Sequence, residues 1–201
     1  MRLPEGDSEL VQIVDASLAE AARRSGEWLA CRPGCTQCCY GAFAITQLDA
    51  FRLKTGMRVL HAADPSVAEA VKERARAWLA EYLPTFPGDR ETGILGESDA
   101  DLEKFEDFAN DAPCPALNTV TGLCEVYAWR PMTCRVFGPP IRTEAGDESA
   151  TALAHCELCF KGATESQVAA CEMPIPHGLE AKLLDEIPSR GQTTVAFALL
   201  G

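Results

Sequence analysis

The stretch Cys31-Arg32-Pro33-Gly34-Cys35-Thr36-Gln37-Cys38-Cys39 puts four thiols within nine positions, and its Pro33 and Gly34 favour a turn. Thiols clustered this way ligate soft metals or carry redox chemistry, and sulfur spacing alone fits zinc and iron–sulfur centres alike. Cys38 and Cys39 are chain neighbours with Cα atoms about 3.8 Å apart, too close for ordinary disulfide geometry. Their side chains diverge in helix and strand alike. The pair is therefore expected to serve two metal centres or different atoms of one polynuclear centre, although a distorted loop would let both reach one ion. A later Cys156-Glu157-Leu158-Cys159 follows His155 and has a spacing that can ligate metal or exchange disulfides. It lacks a β-α-β context of thioredoxin type and a following His for haem attachment. Cys171 falls in the helix-like stretch 167–172 and reads as a buried thiol.

Between these blocks lie Cys114-Pro115-Ala116-Leu117, Cys124-Glu125-Val126-Tyr127 and Arg130-Pro131-Met132-Thr133-Cys134-Arg135. Taken in order with the first block, they make the sequence resemble the YkgJ-type cysteine-cluster family, described as zinc- or iron-chelating. That family reads C-x(2–3)-C-x-x-C-C, then C-P-x-L, C-x-x-Y and R-P-x-x-C-R. The likeness covers residues 31–137 and implies that Cys31, Cys35, Cys38, Cys39, Cys114, Cys124 and Cys134 are metal ligands. Thr36-Gln37 departs from the small, Gly-containing pair common in the family. Seven ligands cannot all complete one tetrahedral ion, so a four-plus-three division is one solution, with His, water or substrate in the open position. Cys156 and Cys159 would instead complete an eight-sulfur, two-centre arrangement, with His155 a weaker candidate. Arg130 and Arg135, either side of Cys134, read as offsets to thiolate charge or as surface arginines; Tyr127 and Trp129 read as core packing.

The chain has 201 residues, 47% of them hydrophobic and 24% charged, with ten cysteines, three histidines and a net charge of −12. An acidic surface disfavours non-specific nucleic-acid binding and anionic membranes. The start, MRLPEGDSEL, has no basic and apolar leader, and Val195 to Leu200 is too short to span a bilayer. A cytoplasmic protein with reduced thiols is expected, rather than a disulfide framework. The expected partner is a metal ion: iron or an iron–sulfur cluster by preference, zinc as the alternative, in a redox or electron-transfer role. A structural, zinc-stabilised interaction module is one competing reading. Another is an S-adenosylmethionine-linked enzyme of methyl-transfer or radical type, because Cys31, Cys35 and Cys38 have the three-cysteine spacing of radical enzymes and a related block occurs in flagellin lysine methylases. No Ser-His-Asp set or glycine-rich phosphate loop supports a hydrolase or kinase.

The elements that must position these thiols are mostly helical. Leu10, Ile13, Val14, Leu18 and Ala21 mark a helix within 8–30, capped by Asp7 or Ser8. Thr46 opens a second helix that Gly56 should end, and Asp64-Pro65 starts a third, using Val67, Val71, Ala75, Trp78 and Tyr82, that Pro84 ends. Residues 84–98 read as loop, and Ser98 or Asp99 begins a short helix inside an acidic run read as a solvated face. Residues 123–127 and 135–137 are β-prone, 178–187 a short helix, and 193–200 a strand or buried helix turn. The whole predicts a mainly α fold with short β pieces and irregular Cys-rich loops. It forms a single metal-centred domain over 1–201, with the cysteine core at 31–137 and a C-terminal cysteine group and helix at 155–201.

Overall fold

The computed structural model describes residues 2–142 and 153–201. Helix α1 (Asp7–Ser25) buries Leu10, Val14 and Ala21 on one stripe. It carries Asp7 and Glu9 in its first turn and Arg23 and Arg24 in its last, which suits the helix dipole at both ends. Gly6, not Asp7 or Ser8, is its N-cap, and Gly26 at φ +51° terminates it. Strand β1 (Ala44–Thr46) leads into α2 (Gln47–Ala63), where the Thr46 side chain caps the helix by accepting from the Asp49 N–H. Gly56 does not end α2. It lies mid-helix because the Trp129 ring rests on it, and a Cβ there would overlap that ring.

Asp64 closes α2 and opens α3 (Pro65–Tyr82), its carboxylate accepting from the Ser66 and Val67 N–H groups at 3.1 Å. Ala68, Val71, Ala75 and Trp78 form the buried stripe of α3. Helix α4 (Asp99–Glu106) is capped by Ser98, and the acidic run around it is exposed except for half-buried Asp101. Strands β2 (Leu117–Asn118) and β3 (Leu123–Cys124) make an antiparallel hairpin with Leu117 opposite Cys124. Beyond it the expected strand character is lost: Tyr127–Trp129 is a tight 3-10 turn. Residues 135–137 are not a strand either: α5 (Met132–Val136) takes in Arg135 and Val136, and Phe137 follows it outside any regular element.

Strands β4 (Ile141–Arg142) and β5 (Leu153–Ala154) pair antiparallel. Helix α6 (Glu165–Ala170) opens on a reciprocal Thr164–Gln167 capping box, and α7 (His177–Asp185) follows. Strand β6 (Gln192–Thr194) pairs antiparallel with β1 and runs straight into α8 (Val195–Leu200), so strand and helix turn occur in succession. The fold is mainly α with strands of two or three residues, as the sequence implies.

The chain packs as two compact units. One comprises Thr36–Met132 with Leu184–Gly201, the other Pro4–Cys35 with Thr133–Leu183. In the first, α2, α3 and α8 bury Leu53, Met57, Val71, Val195 and Leu199, and half-buried Cys114, Cys124 and Trp129 pack against that core. Here Asp49 and Arg52 are both fully buried, paired at 2.5 Å, and Asp49 also accepts from the Met132 N–H at 2.8 Å. The carboxylate of α2 thus caps α5 from 83 positions away, which favours helix at Arg135 and Val136. Burial raises the Asp49 carboxyl, against the opposing pull of Arg52 and the Met132 N–H. In the second unit, Cys156, Cys159, Phe160 and Cys171 form a small core with Trp28, Leu29 and Val168. Asp15 of α1 there takes both carboxylate oxygens to the buried Arg135 at 2.8 Å.

Gly56→Ala tests the Trp129 seat. Helix propensity alone would add about 1 kcal/mol of stability, whereas overpacking the ring costs about 1–3 kcal/mol. The expected net result is a lower urea midpoint, and a midpoint equal to or above the parent's would contradict the packing.

Candidate metal centres

In the first unit, Cys38 and Cys39 sit on a 3-10 turn (Gln37–Cys39) that closes through Cys39 N–H to the Thr36 carbonyl at 2.8 Å. Residues 39–41 then run antiparallel to 112–114. The Cys114 N–H donates to the Cys39 carbonyl at 2.7 Å, the Gly41 N–H donates to the Ala112 carbonyl at 2.9 Å, and Tyr40 bridges Pro113. This pairing sets Cys39 beside Cys114. The β2–β3 hairpin returns Cys124 to the same place, with Asn118 accepting from the Val120 and Thr121 N–H groups to fold its tip. The four thiols are near enough to act on one another: Cys38, Cys114 and Cys124 all push up Cys39, and Cys38 and Cys124 both act on Cys114.

The four differ in ionisation. The Cys39 thiol hydrogen-bonds the Cys38 sulfur and, with the amide of Cys38 and the Arg130 guanidinium, lowers Cys38 to about 7. That same bond, then desolvation, raises Cys39. Burial pushes Cys114 up to about 12 against the Ala116 and Leu117 N–H groups, and it raises Cys124 against the Val126 N–H and Arg130. The contact between Cys38 and Cys39 differs from the divergence expected of chain neighbours, because a 3-10 turn holds them where neither helix nor strand would. Arg130 is buried, its guanidinium 4.0 Å over the Tyr127 ring and its Nη1 donating to the Tyr127 carbonyl at 3.1 Å. Tyr127 is exposed and serves as that platform rather than as core; Trp129 packs as expected.

The second unit gathers another four. Pro33 and Gly34 (φ +88°) form a turn closed by Cys35 N–H to the Arg32 carbonyl at 2.9 Å, which presents Cys31 and Cys35 together. Cys156 and Cys159 lie on a turn closed by Cys159 N–H to the Cys156 carbonyl at 2.9 Å. The Phe160 N–H donates to the Trp28 carbonyl at 2.8 Å, and the Ala30 N–H reaches the Cys159 sulfur at 3.4 Å. Gly138 joins the two halves. Its carbonyl accepts from the Cys156 N–H at 3.2 Å, and a Cβ on it would stand 2.8 Å from the Cys31 sulfur. Desolvation pushes Cys31 up to about 12, reinforced by Cys159, Cys35 and Cys156. Cys156 is likewise raised by burial, eased by the Leu158 N–H.

Cys134 is half-buried on α5. Cys171 is buried beside Cys156 and Cys159 as the C-cap of α6. His155 is exposed, its Nδ1 3.1 Å from the Cys156 carbonyl oxygen and its ring against Phe160. Arg135 serves Asp15, and Arg130 acts on Cys38 and Cys124, so neither is a surface arginine. Sequence reasoning passed over Gly138, although a glycine ahead of two prolines was a visible sign of unusual backbone. Among the described residues, no three His, Cys, Asp or Glu side chains stand in the geometry of a finished ion site. The side chains that these turns and strands gather are cysteines, four named in each unit. Thiolate sulfur is a ligand for soft or borderline metals such as zinc and iron, whereas calcium and magnesium take oxygen.

Sulfur-only donor sets of this kind define a metal-chelating, cysteine-rich protein. The family model CxxCxxCC, described as "Putative zinc- or iron-chelating domain", matches residues 30–159, and the chain belongs to that family. The match begins one residue before Cys31 and ends on Cys159, and so takes in both groups of thiols. No curated protein and no solved structure matches the chain significantly. Among the described residues, no helix is long and apolar enough to cross a membrane.

Thiol reactivity follows the ionisation order. In metal-stripped protein at pH 7, iodoacetamide should mark Cys38 ahead of Cys31 and Cys114, because only the thiolate attacks and Cys38 titrates lowest of the three. Raising the pH past 7 should flatten the Cys38 rate while Cys31 continues to speed up. Peptide mapping by mass spectrometry reads both, and equal labelling of the three would refute the order.

Proposed function

We propose that the protein holds metal at two separate four-sulfur centres, Cys38–Cys39–Cys114–Cys124 in one unit and Cys31–Cys35–Cys156–Cys159 in the other. Iron, as an ion or an iron–sulfur cluster, is the preferred metal in a redox or electron-transfer role, and zinc is the alternative. One observation carries the reading: eight cysteines spread from 31 to 159 fall into two mutually acting fours, each confined to one compact unit. Cys134, half-buried on α5, is the further ligand that the family resemblance implies.

Bound iron would supply one-electron chemistry and bound zinc Lewis acidity or cross-linking; the residues supply the rest. Each thiol gives its proton to solvent as it becomes a ligand, and rotation about side-chain bonds closes the shell. At the first centre, N–H groups of Ala116, Leu117 and Val126 face the sulfurs, as Leu158 does at the second. Such donors spread thiolate charge and raise the potential of an iron centre. The structural zinc reading draws support from the second centre, where Cys156 and Cys159 are built into the small core with Trp28, Leu29 and Phe160. A metal there would contribute directly to folding.

Protein prepared without air is expected to contain two equivalents of zinc or two iron centres per chain. Brown colour, absorption near about 400 nm and an EPR signal on reduction would mark iron–sulfur. Colourless protein with zinc would mark the structural alternative. Cys124→Ser and Cys35→Ser should each remove one equivalent and leave the other, while Cys171→Ser leaves both. Loss of all metal from either variant would contradict separate centres, and unchanged metal in both would remove these cysteines as ligands.

A further inference from the structure

We infer that the first unit carries a separate binding site, a cavity between α4 and the loop before it, which takes a small aromatic zwitterion of the α-amino-acid class. The cavity measures about 1130 Å³, room enough for such a molecule, and no cysteine lines it. The site therefore stands apart from the metal-binding reading above. Its floor is aromatic. Phe108 is buried and meets the Tyr82 and Phe86 rings edge-on, with centroids 6.2 and 5.8 Å away. A floor of this kind offers a flat apolar ligand offset or edge-on ring contacts.

The walls are held by the backbone, so the cavity is formed before any ligand arrives. The loop folds on itself through Asp89 N–H to the Ile94 carbonyl at 2.8 Å and Gly96 N–H to the Pro87 carbonyl at 3.0 Å. A Cβ on Gly96 would overlap the Asp101 carboxyl, so loop and α4 meet there. Ala109, beside Phe108 on the wall, holds φ +53°, a conformation that such a residue keeps only where its surroundings fix it.

The charges select the ligand. Residues 89–111 hold nine carboxylates and two cations, Arg90 and Lys104, and both cations line the cavity. Among the described residues neither pairs with a carboxylate; Arg90 donates from Nη2 to the Pro84 carbonyl at 2.7 Å, which fixes its guanidinium on the loop. Two of the lining carboxylates are spent on local turns. Asp89 accepts from the Glu91 and Thr92 N–H groups at 2.8 and 3.2 Å, and Asp101 from the Ser98 hydroxyl at 2.6 Å. The carboxylate of Asp107, the C-cap of α4, has no such bond among the described residues. It lies three positions after Lys104, the spacing that sets helix side chains next to each other. An ammonium, most of a guanidinium and one carboxylate are thus left to a ligand above an aromatic floor. Their complement carries a carboxylate, an ammonium and a ring. A phosphate monoester fits less well, because the surrounding acidic run repels a second negative charge.

The test uses the full chain and three probes: L-phenylalanine, hydrocinnamate, which lacks the ammonium, and phenethylamine, which lacks the carboxylate. Calorimetry reads binding, and amide shifts in isotope-labelled protein read its place. L-Phenylalanine should bind about fivefold tighter than either analogue, the scale of one solvent-facing ion pair. Lys104→Gln should weaken L-phenylalanine and hydrocinnamate and spare phenethylamine. Asp107→Asn should weaken L-phenylalanine and phenethylamine and spare hydrocinnamate. Both side chains are exposed, so both variants should keep the parent's urea midpoint. Amide shifts should centre on residues 82–109. Shifts at Cys38, Cys114 or Cys124 instead would mean capture at the thiols and overturn the site. An analogue that equals L-phenylalanine, variants that bind all three probes as the parent does, or no binding at all would overturn it too.

Discussion

Ionised sulfurs in one small space repel each other. Two unit charges 4 Å apart cost about 4 kcal/mol at the effective dielectric of a protein near its surface. A chain that gathers four thiols must therefore keep them protonated, share a cation among them or surround them with donors. The burial-raised thiols Cys31 and Cys114 answer in the first way. Cys38 answers in the third, lowered by the Cys39 thiol, its own amide and Arg130. The backbone contributes as well: the N–H groups of Ala116 and Leu117 act on Cys114, that of Val126 on Cys124 and that of Leu158 on Cys156.

Convergence of the first four depends on backbone pairing more than on side-chain packing. The 2.7 Å bond from the Cys114 N–H to the Cys39 carbonyl joins segments 75 residues apart, and the hairpin tip built on Asn118 brings Cys124 back beside them. The α2, α3 and α8 core supplies the rigid support, through Gly56 and Trp129 in particular. In the other unit Gly138 has the joining role, at φ +122° and with no room for a side chain against Cys31. Alanine there would meet both strain and a sulfur atom.

Local signals in the chain were readable wherever a residue acts on its near neighbours. Thr46, Asp64-Pro65 and Ser98 open their helices as their types require, and the apolar stripe of α3 follows its spacing. Signals that depend on distant residues were not readable. Gly56 looks like a stop until Trp129 is seen lying on it, and 135–137 look β-prone until Asp49 is seen capping α5. The four-in-nine thiol block reads as a single ligand loop, yet the chain passes from one unit to the other between Cys35 and Thr36. Spacing shows which residues can ligate; only tertiary pairing shows which of them belong together.

That division of a nine-residue motif bears on how the protein is made. The first group has all its sulfurs once Cys124 has left the ribosome, whereas Cys31 and Cys35 wait a further 35 residues for Cys159. At about 5–20 residues per second, the delay is roughly 2–7 s. In the proposed assignment, Cys31 and Cys35 are for that interval without Cys156 and Cys159. The turns at Pro33-Gly34 and Gln37–Cys39 close on local hydrogen bonds and so need neither distant half in order to form.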